Sequence, residues 1–587
     1  MDYSYTLYDA YNKPDKNPRI STRRAIIIGA RLSGLAAAAF LIRDGGMPGK
    51  NITICEPTGM VGGSVDGLDR NNGFLIRDQK IRDRHFDCFM DLFSTIPSRS
   101  NRSVQEDIAL YNAKPQRDRA KRIVAEQGKE RSDFTKAILS DRSIFALIKL
   151  LFYPEEDFDG LSIEEYFDDN FFKSSLWKQF ALTFSFTRNY SLLEMRRYLR
   201  RYMNILDHIN NLDFNLKERF NPYQTYIVPL VRWLKDQGVL IKTDTVVKNV
   251  EYDKVANKTY IKKIDVEGPM GPRTIFIGPD DACFFTIGST FEGEVTGSHF
   301  ETIEEEEKEE KPFLPSWDLW YKLRDINPNY GNPDNFFIKE NKFMTATITL
   351  KDNNIAYDIN RAVSFRKSGD LYTGVPVYLK DSPWNMTFTI GPQPLSSLQR
   401  QDETIVFLKA FTSDRKGSYT PFTMRECNGA DITAEWLYHM GVSERLINEL
   451  AVKHAKTTAC ITPYDRSCFY KRKIKDRPVT VPKDAANFAF LGHFTEIADE
   501  CCYLDEYAVR SAMIATYKLF DIKRQIPPVY QPVYDIREDI KALKNALGTR
   551  HLSSLSLSPL DSMALKQILK TLKKTEIGKL IEKENIL

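Results

Sequence analysis

The sequence predicts an α/β fold, and three observations carry that prediction. Residues Arg24 to Phe40, Arg-Ala-Ile-Ile-Ile-Gly29-Ala-Arg31-Leu-Ser-Gly34-Leu-Ala-Ala-Ala-Ala-Phe, read as a buried strand, a tight turn and a small-residue helix. Asn51-Ile-Thr-Ile-Cys-Glu56 reads as a second parallel strand that ends in an acid, about two dozen residues past the turn. Late in the chain, Asn487-Phe-Ala-Phe-Leu-Gly492 gives another strand and Gly turn before a helix that begins near Glu506.

This layout seats a dinucleotide pyrophosphate. Gly29 makes the turn, Gly34 lets the helix lie against the sheet, and Glu56 stands where an acid accepts hydrogen bonds from ribose hydroxyls. The middle position, where glycine lets the backbone touch the phosphates, holds Arg31. A long cation there either clashes with the phosphates or reaches out to pair with them. Gly62-Gly63-Ser64 forms a second backbone-exposing turn able to touch a phosphate or flavin.

At 587 residues the chain exceeds one hydrophobic core, and roughly 100 to 200 residues per domain implies about three or four packed units. A 42% hydrophobic content supplies ample core without a disulfide framework. The eight cysteines are scattered, with only Cys501 and Cys502 adjacent and no Cys-x-x-Cys spacing, so small buried thiols in a reducing compartment are expected, with no metal. A net charge of +4 argues against a general nucleic-acid binder. No secretory signal or membrane span is read at the N-terminus or in the apolar run from Ala25 to Ile42, so a cytoplasmic, soluble protein is expected.

Eight segments follow in order. An N-terminal extension (1–22) precedes the first part of the dinucleotide domain (23–139). A helical region (140–215) repeats apolar residues such as Phe145, Ile148, Leu151, Met195, Tyr198 and Tyr202 at helical steps, packing as a lid over a cavity or as core. Residues 216–300 return to the dinucleotide domain through alternating strands from Val239 to Val266 and the strand Ala282 to Gly288. An acidic loop (301–315) leads to a mixed α+β substrate domain (316–460), with strands at Thr345–Leu350 and Met386–Ile390. The third part of the dinucleotide domain (461–530) makes it an assembly of discontinuous segments.

The tail (531–587) differs in kind. Leu565, Ile568, Leu569 and Leu572 make one helical stripe flanked by Lys566, Lys570, Lys573, Lys574, Lys579 and Lys583. Such a helix can lie on an anionic membrane surface or dock on the protein's own core, and both readings stay open.

The order of several stretches resembles the oleate hydratase family, also called the myosin-cross-reactive antigen family, over about residues 22 to 530. They include Phe40 to Gly49, Gly62 to Gly67, His85 to Phe93 with Ile96-Pro97-Ser98, Gly331-Asn-Pro333, Lys380 to Trp384, Asp476-Arg-Pro478 and Asn487 to Arg510. The resemblance implies a Rossmann-like FAD-binding domain and FAD as cofactor, contacted by Gly29, Arg31, Gly34, Glu56, Gly62, Gly63, Ser64, Arg77, Gly492 and Glu506. It also implies an unsaturated fatty acid as substrate, water added across a cis double bond, and a homodimer as a compatible assembly.

The family motif Arg-Gly-Gly-Arg-Glu-Met-x-x-His-Phe reads here as Arg77-Asp78-Gln79-Lys80-Ile81-Arg82-Asp83-Arg84-His85-Phe86. The water-activating glutamate is therefore Ile81, with Asp83 or Asp78 as the stand-in. The proton-donating tyrosine matches Tyr198. At the carboxylate end, Thr389 and Gln393 remain, while the amide and imidazole positions are Gly391 and Leu395. Three readings stay open: an active hydratase, a non-catalytic paralogue that binds fatty acid or a membrane surface, and a flavin oxidoreductase of changed chemistry, for which the sequence gives no positive signal.

Overall fold

A run of four β-branched or small residues, Ala25–Ile28, flanked by a turn and an alanine-rich helix, can be buried on both faces, and this places it at the centre of a parallel sheet. In the computed structural model that sheet runs, in order, Phe488–Leu491, Ala282–Thr286, Ala25–Ile28, Ile52–Cys55 and Leu240–Lys242. Every neighbouring pair is parallel. The structure describes residues 18–572 other than 64, 66–67, 71–72, 114–122, 132–138, 207–208, 210–211, 213, 304–313, 339–342, 365–375 and 549, together with residue 582. Most of the acidic run, Ser64 and Lys573, Lys574, Lys579 and Lys583 of the tail lie outside the described residues.

The five strands come from distant parts of the chain, so the joints between them need their own bonds. Asn487 supplies one: its side chain accepts from Ile261 N and donates to Ile261 O, both at 2.9 Å, imitating a strand partner. That pairing fixes the antiparallel meander Val246–Val255, Lys258–Gly268 and Gly271–Phe276 onto the sheet. Asp281 supplies another, bonding the backbone and side chain of Arg24 at the foot of the first strand. Helix Asp505–Phe520 packs along helix Leu32–Arg43 over one face.

A second, eight-stranded sheet runs Val295–Gly297, Ala455–Ile461, Met344–Leu350, Thr404–Ala410, Met386–Thr389, Val377–Leu379, Ile123–Glu126 and Lys129–Arg131. It is antiparallel except where Val377–Leu379 meets Ile123–Glu126. Its core contains Trp384, Trp436, Ile348 and Leu408, under helix Gly429–His439, whose N-terminus Asn428 caps by accepting from Asp431 N. The strands at 123–131 thus lie in the second sheet, away from the dinucleotide unit to which the sequence assigned them. Strand pairing is non-local, and a short run carries no mark of its partner.

The helices of residues 141–201 pack into the same core as the parallel sheet. Their aromatic side chains pack on one another, with Phe167 and Phe171 stacked at 3.8 Å and Phe184 and Phe186 flanking Tyr198. Helix Leu192–Arg201 is buried along its whole length although it carries one glutamate and four arginines. In the tail helix Pro559–Leu572, Leu565 and Leu569 enter the main core while Leu560 and Met563 stay exposed. Among the described residues no helix is long and apolar enough to cross a membrane, and all eight cysteines are buried as free thiols.

Gly34 marks the tightest point of the first turn, because a Cβ there would lie 2.0 Å from the Gly29 carbonyl oxygen. Gly34→Ala is therefore expected to destabilise the chain by at least about 1–3 kcal/mol, since the clash is with backbone and no side chain can yield. Urea unfolding should show a lower midpoint with an unchanged slope; an unchanged midpoint would refute this packing.

Candidate functional site

The first turn and its neighbours form a cradle. Gly29, with φ of +102°, turns the chain at the end of the strand, and its N–H donates to Cys55 O at 2.7 Å. Gly62 N donates to Ala30 O at 2.8 Å, so Gly62 and Gly63 lie beside the turn. Gly492 sits across the sheet, with its open side toward Thr286 and Ser33. Glu56 accepts from Ala30 N at 2.7 Å with one oxygen and from Thr58 N and Oγ1, at 3.1 and 2.7 Å, with the other. Its carboxylate is buried, 1% exposed, and already bonded on both oxygens.

Arg31 crosses this cradle. Its guanidinium donates to Glu292 Oε1 at 2.8 Å, to Ser316 Oγ and to Gly288 O, and lies over the Phe291 ring. Burial raises the Glu292 carboxyl above its usual range, with Arg31 and Ser316 opposing. Beside Arg31 the remaining cavity holds about 40 Å³, lined also by Lys80, Thr286, His493 and Asp505. A bound organic ligand needs roughly 300 Å³ or more. Arg31 thus occupies part of the space between the two glycine turns.

Two other sequence-predicted positions are engaged elsewhere. Arg77 pairs with Glu294. Glu506 accepts from Cys88 N and Phe89 N, at 3.0 and 2.9 Å, and from Arg510, so it caps the helix Asp87–Phe93. Burial raises its carboxyl to about 7.

Tyr198 and Asp83, the two residues expected from the sequence to carry the reaction, have separate partners. The Tyr198 hydroxyl donates to Cys502 O at 2.7 Å, within a wall of Phe184, Phe186 and Phe469. Burial pushes its phenol well above the usual range, and the groups that add to this are Cys501, Cys502, Tyr202 and Cys468, none a carboxylate. Asp83 accepts from His85 N at 2.7 Å and from Arg201 Nε and Nη2, both at 3.2 Å. Asp78 pairs with Lys409 at 3.0 Å and Arg466 at 2.9 Å. Burial would raise Asp78, but Arg466 and Lys409 outweigh it and hold the carboxyl well below its usual range. Ile81 packs against the core.

At the carboxylate end, Gln393 is spent on its own loop. Its amide nitrogen donates to Gly391 O and Ile405 O, and its oxygen accepts from Gln399 Nε2 and Ile405 N. Thr389 is half-buried and pairs with Phe407 at the end of its strand. Leu395 packs beside Phe74, Ile76 and Phe407.

Sequence reasoning missed the cations and acids that hold these groups, chiefly Glu292, Lys409 and Arg466. Glu292 had one signal: an acid shortly after the strand Ala282–Thr286 is a natural counter-charge for an arginine in the turn.

Residues 22–517 match the MCRA family. The chain is 32% identical to oleate hydratase of Streptococcus pyogenes serotype M49 (strain NZ131), with all of both chains covered. It is 26% identical to linoleate hydratase of Lactiplantibacillus plantarum, over 84% of this chain and 93% of that one. Among solved structures, cyclohexylamine oxidase from Brevibacterium oxydans IH-35A superposes with a TM-score of 0.50 at 10% identity, covering 85% of this chain and 99% of that one, a likeness of fold. The parallel sheet and its helices are an α/β fold of the FAD-binding type.

A buried ionic lattice surrounds the helix that carries Tyr198. Glu194, preceding Tyr198 by one helical turn, binds Arg472 at 2.7 Å and Arg477 at 3.0 Å, and Glu496 binds Arg197 at 2.5 Å and Arg472 at 2.9 Å. Burial would raise the Glu194 carboxyl, but Arg477, Arg472 and Arg197 bring it from 4.5 down to about 2. Its stabilisation is thus complete above pH 4.5 and disappears as pH falls toward 2. Glu194→Gln is expected to cost about 3–5 kcal/mol at neutral pH, because Arg477 stays buried without its paired acid and Arg472 keeps only Glu496. Denaturant titrations should show that gap shrinking as pH falls through this window; a gap independent of pH would contradict the assignment.

Proposed function

The chain belongs to the MCRA family, and on that premise we propose that it is a fatty-acid-binding member in which the addition of water to the double bond is silenced. The relatives are hydratases of oleate and linoleate, which makes an unsaturated fatty acid the ligand class. One observation carries the silencing: position 81 is isoleucine, and the two nearby acids, Asp78 and Asp83, are both held by cations.

Hydration transfers a proton to one alkene carbon and a hydroxide equivalent, from water that gives its proton to a base, to the other. Isoleucine cannot take that proton. A carboxylate paired with Lys409 and Arg466 and held below its usual range is a poor base. The acid side is weakened too, because the Tyr198 hydroxyl is directed at Cys502 O and burial disfavours its phenolate. With Gln393 satisfied by its own loop, recognition rests on the apolar chain of the ligand, against the aromatic wall around Tyr198. For the tail, the exposed Leu560 and Met563 beside Lys566 and Lys570 are the face offered to an anionic membrane surface, since Leu565 and Leu569 dock inward.

Purified protein with added FAD, incubated with oleic and then linoleic acid and assayed by mass for an added water, tests this reading. Product no greater than that of a Tyr198→Phe control is expected, together with a rise in Tm on adding either acid. Hydroxy-acid product well above the control would overturn the silencing, and an unmoved Tm would overturn fatty-acid binding.

A further inference from the structure

We propose that the nucleotide cradle is gated by the chain's own Arg31–Glu292 ion pair, so that a dinucleotide enters only when Arg31 leaves Glu292. In dinucleotide folds the pyrophosphate sits against the amides at the N-terminus of the first helix, where its negative charge meets the positive end of the helix dipole. Here the residue before that helix is Arg31, and its side chain turns across the same space. A Cβ on Gly63 would meet Arg31 Cγ at 3.0 Å and Phe291 at 3.3 Å, which shows how closely the stem fills the gap between the two glycine turns.

The acid that receives Arg31 is itself fixed. Glu292 N donates to Ser289 Oγ, and the Glu292 carboxylate accepts from Ser316 N at 3.1 and 3.2 Å, in the first turn of helix Pro315–Ile326. The pair therefore ties the first turn of the sheet to the loop after strand Ala282–Thr286 and to that helix. Glu292, 5% exposed, supplies the negative charge that a pyrophosphate would bring, while Arg31 occupies its volume.

The polar remainder of the cradle argues for a gate over a permanent plug. Thr286 Oγ1 is buried and, among the described residues, without a hydrogen-bond partner, as is Arg31 Nε, and both residues line the same cavity. Lys80 also lines it, 3.5 Å from Asp505. A displaced Arg31, Lys80 and the Thr286 hydroxyl form a set of donors suited to a diphosphate. Removing Arg31 alone would leave Glu292 unpaired and facing Glu56, so the acid must be changed with it.

Flavin binding is read here without turnover, so this proposal and the reading of hydration fail separately. FAD is titrated into the full-length wild type, Glu292→Gln and the double variant Arg31→Gly/Glu292→Gln, with binding followed by equilibrium dialysis and folding checked by circular dichroism. Glu292→Gln preserves shape and frees Arg31 toward the phosphates, so it is expected to tighten FAD by about tenfold or more, and the double variant likewise. Equal affinity in wild type and a folded Glu292→Gln protein overturns the gate, as does tight stoichiometric binding by the wild type. Should the double variant not fold, the Glu292→Gln comparison decides alone; should that variant also unfold, the wild-type titration decides, weak binding supporting the gate.

Discussion

Charge buried away from water has to meet its opposite, and in this protein that requirement is met almost entirely from within. Helix Leu192–Arg201 is the clearest case: it is enclosed on all sides, yet carries Glu194 and four arginines. Each isolated ion would cost several kcal/mol to bury. The cost is offset because Arg472, Arg477, Glu496, Asp83 and Glu500 reach in from other segments to pair with the helix or with one another. The lattice holds the late segment around 465–510 against the helix that carries Tyr198, so the ion pairs and the Cys502 carbonyl together place that tyrosine.

The same requirement explains the pairings in the cradle and in the loop of residues 77–86. Once Arg31 replaces a small residue in the first turn, its charge must be answered, and Glu292 answers it across the space of the phosphates. With Ile81 in the loop, the acids at 78 and 83 stand among Lys409, Arg466 and Arg201 and serve to neutralise them. These pairings are what the proposed silencing of hydration rests on. The family's fold is present, and these buried charges face one another.

The local features of the fold were legible in the sequence. Ala25–Ile28, the turn at Gly29, the close approach at Gly34 and the strand-end Glu56 follow from burial and backbone geometry over a few residues. The helix Asp505–Phe520 and the aromatic helices of 141–201 were legible for the same reason. Partners were not. Arg31 and Glu292 lie 261 residues apart, and Asp78 and Arg466 lie 388 apart, separations at which residue type gives no register. Glu506, expected at the cofactor, accepts from the amides of Cys88 and Phe89, orphan donors of the helix that residue type alone does not reveal. Gln393 was legible as a polar residue, but not that Gln399 and the Ile405 backbone would satisfy it.

The most direct measurement of whether these charges serve one another is a crystal structure grown with FAD and oleic acid both in excess. Arg31 is expected on Glu292, Asp78 between Lys409 and Arg466, and the Tyr198 hydroxyl on the Cys502 carbonyl, with no pyrophosphate on the amides that follow Arg31. A pyrophosphate seated there with Arg31 still on Glu292, or an acid released from its cation and facing Tyr198 across a bound fatty chain, would contradict the internal pairing on which the fold and its proposed silence both rest.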